Sequence, residues 1–386
     1  MLKVCKIMHV ADGSYQREAV GKRRKGIQAM SKKIKVGIIG TGGISGVHNS
    51  GYVKSGQAEV WALCDIMPGV LAAKSKAYNV PAERCFADYR GLLKLKEIDA
   101  VSVCTPNKTH MPITVAALKA GKHVLCEKPM AMNPGEAQKM VDASKVARRK
   151  LQIGHMHRYR ADAGYVKGLV DSGVLGKIYF ARCQAIRRRG VPSWGVFGRL
   201  EEQGGGGLID IGVHQIDLCW SVMGKPIPVA VSGQVYRTIG NQPGHFGMFG
   251  AWDWKTYTVE DFACGLVRFA NGATMSIECS FIANLDQDRE GCHIVGDKGG
   301  ASLSPLSVQV ECDGHLMDCT PRDFVTVDLH GKPADISIHE LELTSFVDAV
   351  QNDKPVLVPA TETIWTQKII DGIFRSAKAG KEVSIR

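Results

Sequence analysis

Residues 34–46 read Ile-Lys-Val-Gly-Ile-Ile-Gly-Thr-Gly-Gly-Ile-Ser-Gly. The first part of this stretch is a short apolar run rich in β-branched residues, which is typical of a strand buried in a parallel sheet. The glycines that follow predict a tight turn at Gly40 and a close approach of the backbone to a pyrophosphate at Gly42, with the negative charge at the N-terminus of the next helix. Ser45 occupies the third fingerprint position, where glycine or alanine is usual. Because ordinary turns also contain such glycines, the pattern needs support from its context.

A second apolar run, residues 59–64, ends in Asp65, about 20 residues beyond the glycines. A carboxylate at this place can accept hydrogen bonds from the adenosine ribose hydroxyls of a dinucleotide. Asp65 would also repel a 2′-phosphate, and the adjacent Ile66 offers no compensating charge, so NAD is predicted over NADP. The alternative is that Asp65 is a solvated turn residue.

Two more apolar runs, residues 99–104 and 121–126, end in polar segments. Thr105-Pro106-Asn107 follows the first, with His110 at a predicted helix start, and Glu127-Lys128-Pro129 follows the second. Strands that alternate with helical stretches predict an α/β fold with a doubly wound parallel sheet, in which ligands bind at the carboxyl ends of the strands. Gly40, Asp65, Thr105 and Lys128 are therefore expected to face one crevice.

The length of 386 residues favours two domains, and the hydrophobic content of 45% supports a sizeable core. We place a basic tail, disordered or wrongly started, at residues 1–33, with Met30 as a candidate true start. A dinucleotide-binding domain is assigned to 34–154, and an α+β domain for substrate binding and oligomerisation to 155–386. The tail has nine Lys and Arg residues and only two acidic ones, so the rest of the chain carries only +4 of the net +11. Nucleic acid is therefore not an expected partner, and no apolar run is long enough to span a membrane.

The twelve cysteines are scattered without C-x-x-C spacing, which favours a reduced, cytoplasmic protein. His155 and His157 lie two residues apart, but no further ligand with metal spacing stands nearby. We therefore expect no metal site.

Three motifs in this order, the glycine loop, Glu127-Lys128-Pro129 and the run from Gly204 to Asp217 (GGGGLIDIGVHQID), resemble the Gfo/Idh/MocA family. This is the family of glucose-fructose oxidoreductase, inositol dehydrogenase and rhizopine-catabolism proteins. The resemblance runs from about residue 34 to the C-terminus. It implies an N-terminal Rossmann domain and a C-terminal α+β domain with a large, mostly antiparallel sheet that is open on one face. It also implies a homodimer or homotetramer that pairs through that face.

The composition of the second half agrees with this architecture. Four β-rich stretches are predicted as strands, two of them are joined by the hairpin signal Ala270-Asn271-Gly272, and two stretches near the C-terminus have helical spacing. The predicted strands are 178–186, 229–238, 259–269 and 273–282, and the predicted helices are 339–351 and 361–379.

By resemblance, Lys128 lies beside the nicotinamide and the substrate, while Asp210 and His214 supply the remaining polar chemistry. Asp210 and His214 are four residues apart, so they would project from the same face of one helix. When a hydride leaves a carbinol carbon, the hydroxyl proton must also leave, and an imidazole is suited to accept it. A helix-surface pair and a solvated lysine are the alternatives, and Asp217 is interpreted as a structural residue.

Arg158 stands where family members place an arginine near cofactor and substrate, and Trp194 resembles a tryptophan near the cofactor, with core packing as its alternative. The predicted substrate-binding residues are Lys128, Arg158, Asp210 and His214. The predicted cofactor-binding residues are Gly40, Gly42, Gly43, Ile44, Asp65, Ile66, Thr105, Pro106, Asn107, His110, Glu127, Lys128, Arg158 and Trp194.

The resemblance implies an NAD(P)-dependent oxidoreductase that moves a hydride between the nicotinamide and a hydroxyl-bearing carbon of a sugar or cyclic polyol. An NAD-dependent glycosidase of related fold, which oxidises a ring hydroxyl only transiently, is the main alternative. A non-enzymatic sensor of NAD and sugar is a third interpretation. Net accumulation of NADH separates the first two.

Overall fold

A computed structural model describes residues 32–324 and 335–385. The tail prediction therefore lies almost entirely outside the described residues. The chain forms two compact units: the first contains the described residues 32–159 and 335–364, and the second contains 160–324 and 365–385. The predicted domain division lay at residue 154 and assigned everything beyond it to the second domain. In the structure, residues 335–364 return to the first unit.

The first unit is built on a six-stranded parallel sheet in the order β3-β2-β1-β4-β5-β6. Its strands are β1 (Ile34–Ile39), β2 (Ala58–Cys64), β3 (Cys85–Phe86), β4 (Ala100–Val103), β5 (His123–Cys126) and β6 (Leu151–Ile153). This is the doubly wound order of a Rossmann domain, so the predicted fold is confirmed. The strands β1 and β4 lie side by side at the point where the strand order reverses, which is where such sheets bind ligands.

Helices accompany these strands in the first unit. They are α1 (Gly43–Ser55), α2 (Pro68–Tyr78), α3 (Tyr89–Leu93), α4 (His110–Lys119), α5 (Pro134–Ala147) and α9 (Ile338–Gln351). The helix α9 packs against α1, where a Cβ added to Gly51 would lie 2.7 Å from the Cβ of Leu343. Phe346 and Val347 of α9 join the core formed by β1 and β2. This packing explains why residues 335–364 belong to the first unit.

The second unit contains a nine-stranded sheet in the order β14-β13-β12-β11-β7-β10-β9-β8-β15. Its strands are β7 (Ile178–Ile186), β8 (Pro228–Tyr236), β9 (Phe262–Phe269), β10 (Thr274–Ser280), β11 (Arg289–Gly296), β12 (Gly299–Leu303), β13 (Ser307–Cys312), β14 (His315–Asp318) and β15 (Val383–Ser384). All neighbours pair antiparallel except β7 and β10. The predicted α+β domain with a mostly antiparallel sheet is therefore confirmed, including the hairpin at Gly272, where φ is +86°.

Helices cover one face of this sheet and share a single apolar core with it. They are α6 (Ala161–Asp171), α8 (Val213–Val222) and the part of α10 (Ala360–Ala379) that follows residue 364, while the short α7 (Leu200–Gln203) belongs to the same unit outside this core. A π-helical turn, Leu208–Gly212, leads directly into α8. On the opposite face, side chains such as Leu266 and Tyr236 remain exposed. Across the described ranges, we find no helix that is long and apolar enough to cross a membrane.

Candidate active site

The loop that joins β1 to α1 contains glycines in two different environments. At Gly40, φ is +88°, and an added Cβ would lie 2.6 Å from the carbonyl oxygen of Cys104. Only glycine therefore fits this turn without strain. At Gly42 and Gly43, an added Cβ would meet no atom of the described residues within 4 Å. These two positions leave space for a ligand to approach the backbone.

The helix α1 begins at Gly43, and its N-cap residue, Gly42, has no side chain that could cap the helix. Amide groups in the first turn of a helix carry partial positive charge and bind phosphate readily. The buried Ser45 hydroxyl donates to the carbonyl oxygen of Gly42 at 2.6 Å and lies 2.9 Å from the hydroxyl of Tyr78. Ser45, which departs from the usual glycine fingerprint, thus fixes the loop through its buried hydroxyl. Ile44 packs on the core beside β1.

The Asp65 carboxylate holds the same loop. Its Oδ2 accepts hydrogen bonds from the backbone amide of Thr41 at 2.7 Å and from the Thr41 hydroxyl at 2.9 Å, and its Oδ1 accepts from the amide of Met67 at 2.9 Å. A carboxylate offers about four acceptor positions, so capacity for a ligand hydroxyl remains. The neighbouring Ile66 is 82% exposed. The sequence does not predict that Asp65 holds the glycine loop, because Thr41 stands at a variable position of the glycine motif and gives no indication of a partner.

Together these features fit a dinucleotide. The uncapped N-terminus of α1 suits a pyrophosphate, the open positions at Gly42 and Gly43 give access to the backbone, and Asp65 stands at the carboxyl end of β2.

The loops after β4 and β5 are joined through His110. Its Nδ1 lies 2.7 Å from the carbonyl oxygen of Pro129 and its Nε2 lies 2.8 Å from that of Thr105. Burial lowers the pKa of this imidazole, although the two carbonyl oxygens oppose the shift. Both ring nitrogens face backbone oxygens, so His110 contributes to the site by fixing two loops. Asn107 is buried and Pro106 is exposed.

The side-chain oxygen of Thr105 is buried and has no hydrogen-bond partner in the part of the chain that the structure describes. A buried hydroxyl without a partner is costly. A ligand at the carboxyl end of β4 could accept or donate this hydrogen bond.

A buried hydrogen-bond network contacts the backbone of Lys128. The Oε1 of Glu127 lies 2.9 Å from Nε2 of His48, and the amide of Lys128 donates to Oε2 of Glu127 at 3.2 Å. Nδ1 of His48 in turn lies 2.9 Å from the hydroxyl of Ser102, which also contacts the hydroxyl of Tyr52 at 2.6 Å. Burial alone would raise the pKa of Glu127, but the hydrogen bond and charge of His48 and the charge of Lys128 lower it. Glu127 is thus a carboxylate that anchors the backbone of Lys128.

Sequence reasoning missed His48. The signal available was its position on the buried face of α1, in line with Ser45 and Tyr52. A polar residue on such a face needs a partner. Its partner Glu127 lies 79 residues away in sequence, so the pairing could not be read locally.

Arg158 follows the strand β6 in the first unit. Its guanidinium Nη1 donates to Oε2 of Glu362 at 2.7 Å, and its side chain is only 4% exposed. The charge of Arg158 is therefore paired with Glu362 within the first unit. Its predicted contact with cofactor and substrate stays a prediction.

Asp210 and His214 lie in the second unit, at the start of its central helix. Asp210 is in the π-helical turn Leu208–Gly212 and His214 is in the first turn of α8; both are half-buried. The four-residue spacing predicts one turn of α-helix, whereas in the structure Asp210 lies in a π-helical turn and only His214 lies in the α-helix. Asp217, further along α8, is buried and accepts a hydrogen bond from the Thr366 hydroxyl of α10 at 3.3 Å.

Three glycines allow this helix to begin against the sheet. A Cβ at Gly206 would lie 2.2 Å from the carbonyl oxygen of Glu260, and one at Gly207 would lie 2.8 Å from the amide of Phe281. A Cβ at Gly212 would lie 2.5 Å from the Sγ of Cys279. The glycine run is therefore a packing requirement, since the backbone of the helix approaches that of the strands.

Trp194 also lies in the second unit. It is 55% exposed, so the alternative of core packing is not what the structure has. Its ring makes edge contacts with Phe197 and Phe249, at centroid distances of 6.2 and 5.1 Å. In this aromatic group Trp194 and Phe249 are exposed and Phe197 is half-buried.

Comparison with known families gives two matches. The family described as "Oxidoreductase family, NAD-binding Rossmann fold" matches residues 34–155, and the "GFO/IDH/MocA C-terminal domain" matches residues 164–302. The D-glucoside 3-dehydrogenase of Escherichia coli K12 is 35% identical over 357 residues, which cover 92% of this chain and 98% of that protein. The inositol 2-dehydrogenase of Salmonella typhimurium is 37% identical over 165 residues, 42% of this chain and 48% of its own length.

Two solved structures have the same fold. The aldose-aldose oxidoreductase of Caulobacter crescentus complexed with glycerol superposes with a TM-score of 0.75 at 23% identity, covering 92% of this chain and all of that one. Levoglucosan dehydrogenase in complex with NADH gives 0.78 at 22% identity, with the same coverage. At these identities the similarity concerns the fold.

Proposed function

Because this chain belongs to the Gfo/Idh/MocA oxidoreductase family, we propose that it oxidises one hydroxyl-bearing carbon of a sugar or cyclic polyol with NAD. The observation that carries the proposal is the set of groups at one edge of the parallel sheet. The glycine loop after β1, Asp65 after β2 and Glu127-Lys128 after β5 all follow the carboxyl ends of their strands. A dinucleotide site suits hydride transfer when a lysine whose backbone is held by a buried carboxylate lies at the same edge of the sheet.

The substrate class follows from the relatives. The relative that matches over nearly its whole length acts on D-glucosides, and the inositol dehydrogenase matches over part of its length. We therefore place D-glucosides first among the candidate substrates and inositols second.

The residues divide the chemistry as follows. NAD, when bound, supplies the hydride acceptor. His214 takes the proton of the substrate hydroxyl, so that the C–H bond electrons leave with the hydride and a carbonyl forms. Asp210 orients the imidazole and stabilises its charged form, and the Lys128 ammonium stabilises the oxygen as it becomes an alkoxide. The Glu127 carboxylate, paired with His48, holds the backbone of Lys128 in place.

We also propose a homodimer or homotetramer that pairs through the open face of the nine-stranded sheet. Leu266 and Tyr236 on that face are 36% and 48% exposed, which supports a second copy as its cover. A reduced, cytoplasmic setting is proposed too, since the eleven cysteines within the described residues are free. Light scattering of the wild type and of Leu266→Asp tests the assembly, and a monomeric wild type would contradict it.

The activity is tested by incubating the protein with NAD and a panel of D-glucosides, inositols and aldoses, and reading the absorbance of the reduced nicotinamide. The expected result is stoichiometric NADH with at least one class. Cleavage of a glucoside without net NADH would instead favour the redox-assisted glycosidase. Binding of NAD and sugar without turnover would favour a sensor.

A further inference from the structure

Glu260, which immediately precedes Asp261 and β9, carries a buried carboxylate. Its Oε2 accepts a hydrogen bond from the backbone amide of Gly206 at 2.8 Å, and its Oε1 accepts one from the amide of Leu208 at 3.0 Å. These amides lie at the start of the helical segment that contains Asp210 and His214. Both carboxylate oxygens are thus engaged on the backbone that leads into the proposed catalytic pair.

The geometry around Glu260 is tightly fixed. The Tyr257 hydroxyl donates to the carbonyl oxygen of Glu260 at 3.3 Å, and this same oxygen lies where a Cβ on Gly206 would collide with it. A Cβ on Gly205 would lie 3.3 Å from Oε2. The absence of side chains on these glycines lets the carboxylate reach the amides, which connects the glycine run to Glu260.

We propose that Glu260 is a positioning residue for Asp210 and His214, and that only its carboxylate form holds their helix in the active geometry. The inference rests on the proposed dehydrogenase function. A protonated acid or an amide has one acceptor oxygen free of hydrogen, so it can keep only one of the two amide contacts well. The start of the helix then loses one of its two fixed points.

Glu260 changes its charge near neutral pH. Burial raises its pKa to about 7, the amides of Gly206 and Leu208 oppose this shift, and the neighbouring Asp261 adds to it. Tyr257 and Cys279 are the other titratable groups that interact with it, and burial raises the pKa of both well above the neutral range. Around pH 7, Glu260 is therefore the group of this cluster that changes charge.

The sign of the stability effect is opposite to that of the activity effect. The pKa of Glu260 lies above its ordinary value of 4.5, so the folded protein binds this proton more tightly than the unfolded chain. Between pH 4.5 and about 7 the contribution of Glu260 to stability falls as pH rises, while the proposed positioning improves. A residue that only stabilised the fold would not separate the two trends.

Asp261 provides a matched control. Its buried Oδ2 accepts from the amides of Thr238, Ile239 and Gly240 at 2.6 to 2.9 Å, so it fixes a different loop with the same chemistry. Asp261→Asn should shift the Glu260 titration to lower pH, because the Asp261 charge raises the pKa of Glu260. It should leave the dependence of activity on Glu260 in place.

The experiment compares the wild type, Glu260→Gln and Asp261→Asn in three measurements. Amide exchange of residues 204–210 by mass spectrometry, corrected for intrinsic rates, should be about tenfold faster or more in Glu260→Gln at pH 8. In the same variant, the change in unfolding free energy between about pH 4.5 and 7 should lose the decrease that Glu260 contributes, so that stability falls less, or rises more, with pH than in the wild type. With the best substrate, kcat should fall by about 10- to 100-fold at pH 8 with KM and NAD affinity little changed.

The outcomes are separable. Unchanged exchange in Glu260→Gln overturns the proposal whatever the activity. Faster exchange with wild-type kcat and an unchanged pH profile overturns the positioning role while leaving the dehydrogenase function intact. If no sugar or polyol is oxidised, the proposed function fails, and positioning for catalysis fails with it, whereas the exchange result still decides whether Glu260 holds the helix. A shallower acidic limb in Glu260→Gln, in which only the contribution of His214 remains, supports the proposal, together with a Glu260 contribution that moves to lower pH in Asp261→Asn.

Discussion

Replacing Gly43 with alanine separates the folding of the glycine loop from its proposed use in cofactor binding. An added Cβ at Gly43 would meet no described atom within 4 Å, and the position is the first residue of α1. Alanine is favoured over glycine in helices by up to about 1 kcal/mol. We therefore expect the cofactor-free Gly43→Ala variant to unfold at the wild-type temperature or slightly above it.

The same methyl group would occupy the space through which the pyrophosphate reaches the backbone. Hydrogen bonds from amides to a charged group contribute about 1.5–3 kcal/mol each, so the loss of one raises the Kd for NAD by about 10- to 100-fold. Gly40→Ala is the matched comparison, because there φ is +88° and the Cβ would lie 2.6 Å from the Cys104 carbonyl oxygen. The strained backbone alone costs about 1–3 kcal/mol, so this variant should unfold at lower temperature with or without NAD.

The assay combines thermal unfolding without cofactor and calorimetric titration with NAD. A Gly43→Ala variant that binds NAD with wild-type affinity would refute the placement of the pyrophosphate at α1. A Gly43→Ala variant that is clearly less stable without NAD would refute the open space on which the magnitude rests.

The other predictions concern the proposed catalytic groups and the cofactor preference. Lys128→Ala should lower kcat by about 100-fold or more with NAD binding retained, since the ammonium acts where the alkoxide develops; normal turnover or lost NAD binding would contradict this role. His214→Ala should lower kcat/KM by about 10²- to 10⁴-fold and make its rise with pH shallower, leaving only the contribution of Glu260; an unchanged acidic limb would place the base elsewhere. Asp210→Asn should slow turnover as well, and a double variant with His214→Ala should be little worse than the poorer single one; additive losses would show that the two act independently. The wild type should have a higher kcat/KM with NAD than with NADP, and equal values would contradict the proposed role of Asp65 in cofactor preference. Asp65→Ser should weaken the preference and also lower the unfolding temperature, because the Thr41 loop loses its hydrogen bonds to the carboxylate.

The sequence predicts the fold correctly where an element depends on residues that are neighbours in the chain. The apolar run before Gly40 predicted β1, and Gly272 marked the hairpin between β9 and β10, because both signals depend on neighbouring residues. The alternation of strands and helices then fixed the parallel sheet. The resemblance supplied the open antiparallel sheet, which composition alone supports only as a set of strands.

The groups that hold the candidate site in place were not readable in this way. Glu260 contacts Gly206 across 54 residues, and His48 contacts Glu127 across 79, so neither pairing leaves a local pattern. The π turn at Asp210 has the same sequence appearance as an α-helical turn. Such features depend on tertiary packing, which a single sequence does not record.

The return of α9 to the first unit has a consequence for biosynthesis. The helix follows roughly 180 residues after the first unit's earlier part ends, and it completes a core that includes Tyr52 and Val36. At 5–20 residues per second, a ribosome needs about 10 to 40 s to add that stretch. During this time the parallel sheet lacks α9, and the apolar surface that α9 covers is exposed. A chaperone that recognises apolar surface would therefore meet the first unit during this interval, and a fragment cut after residue 159 would keep that surface permanently uncovered.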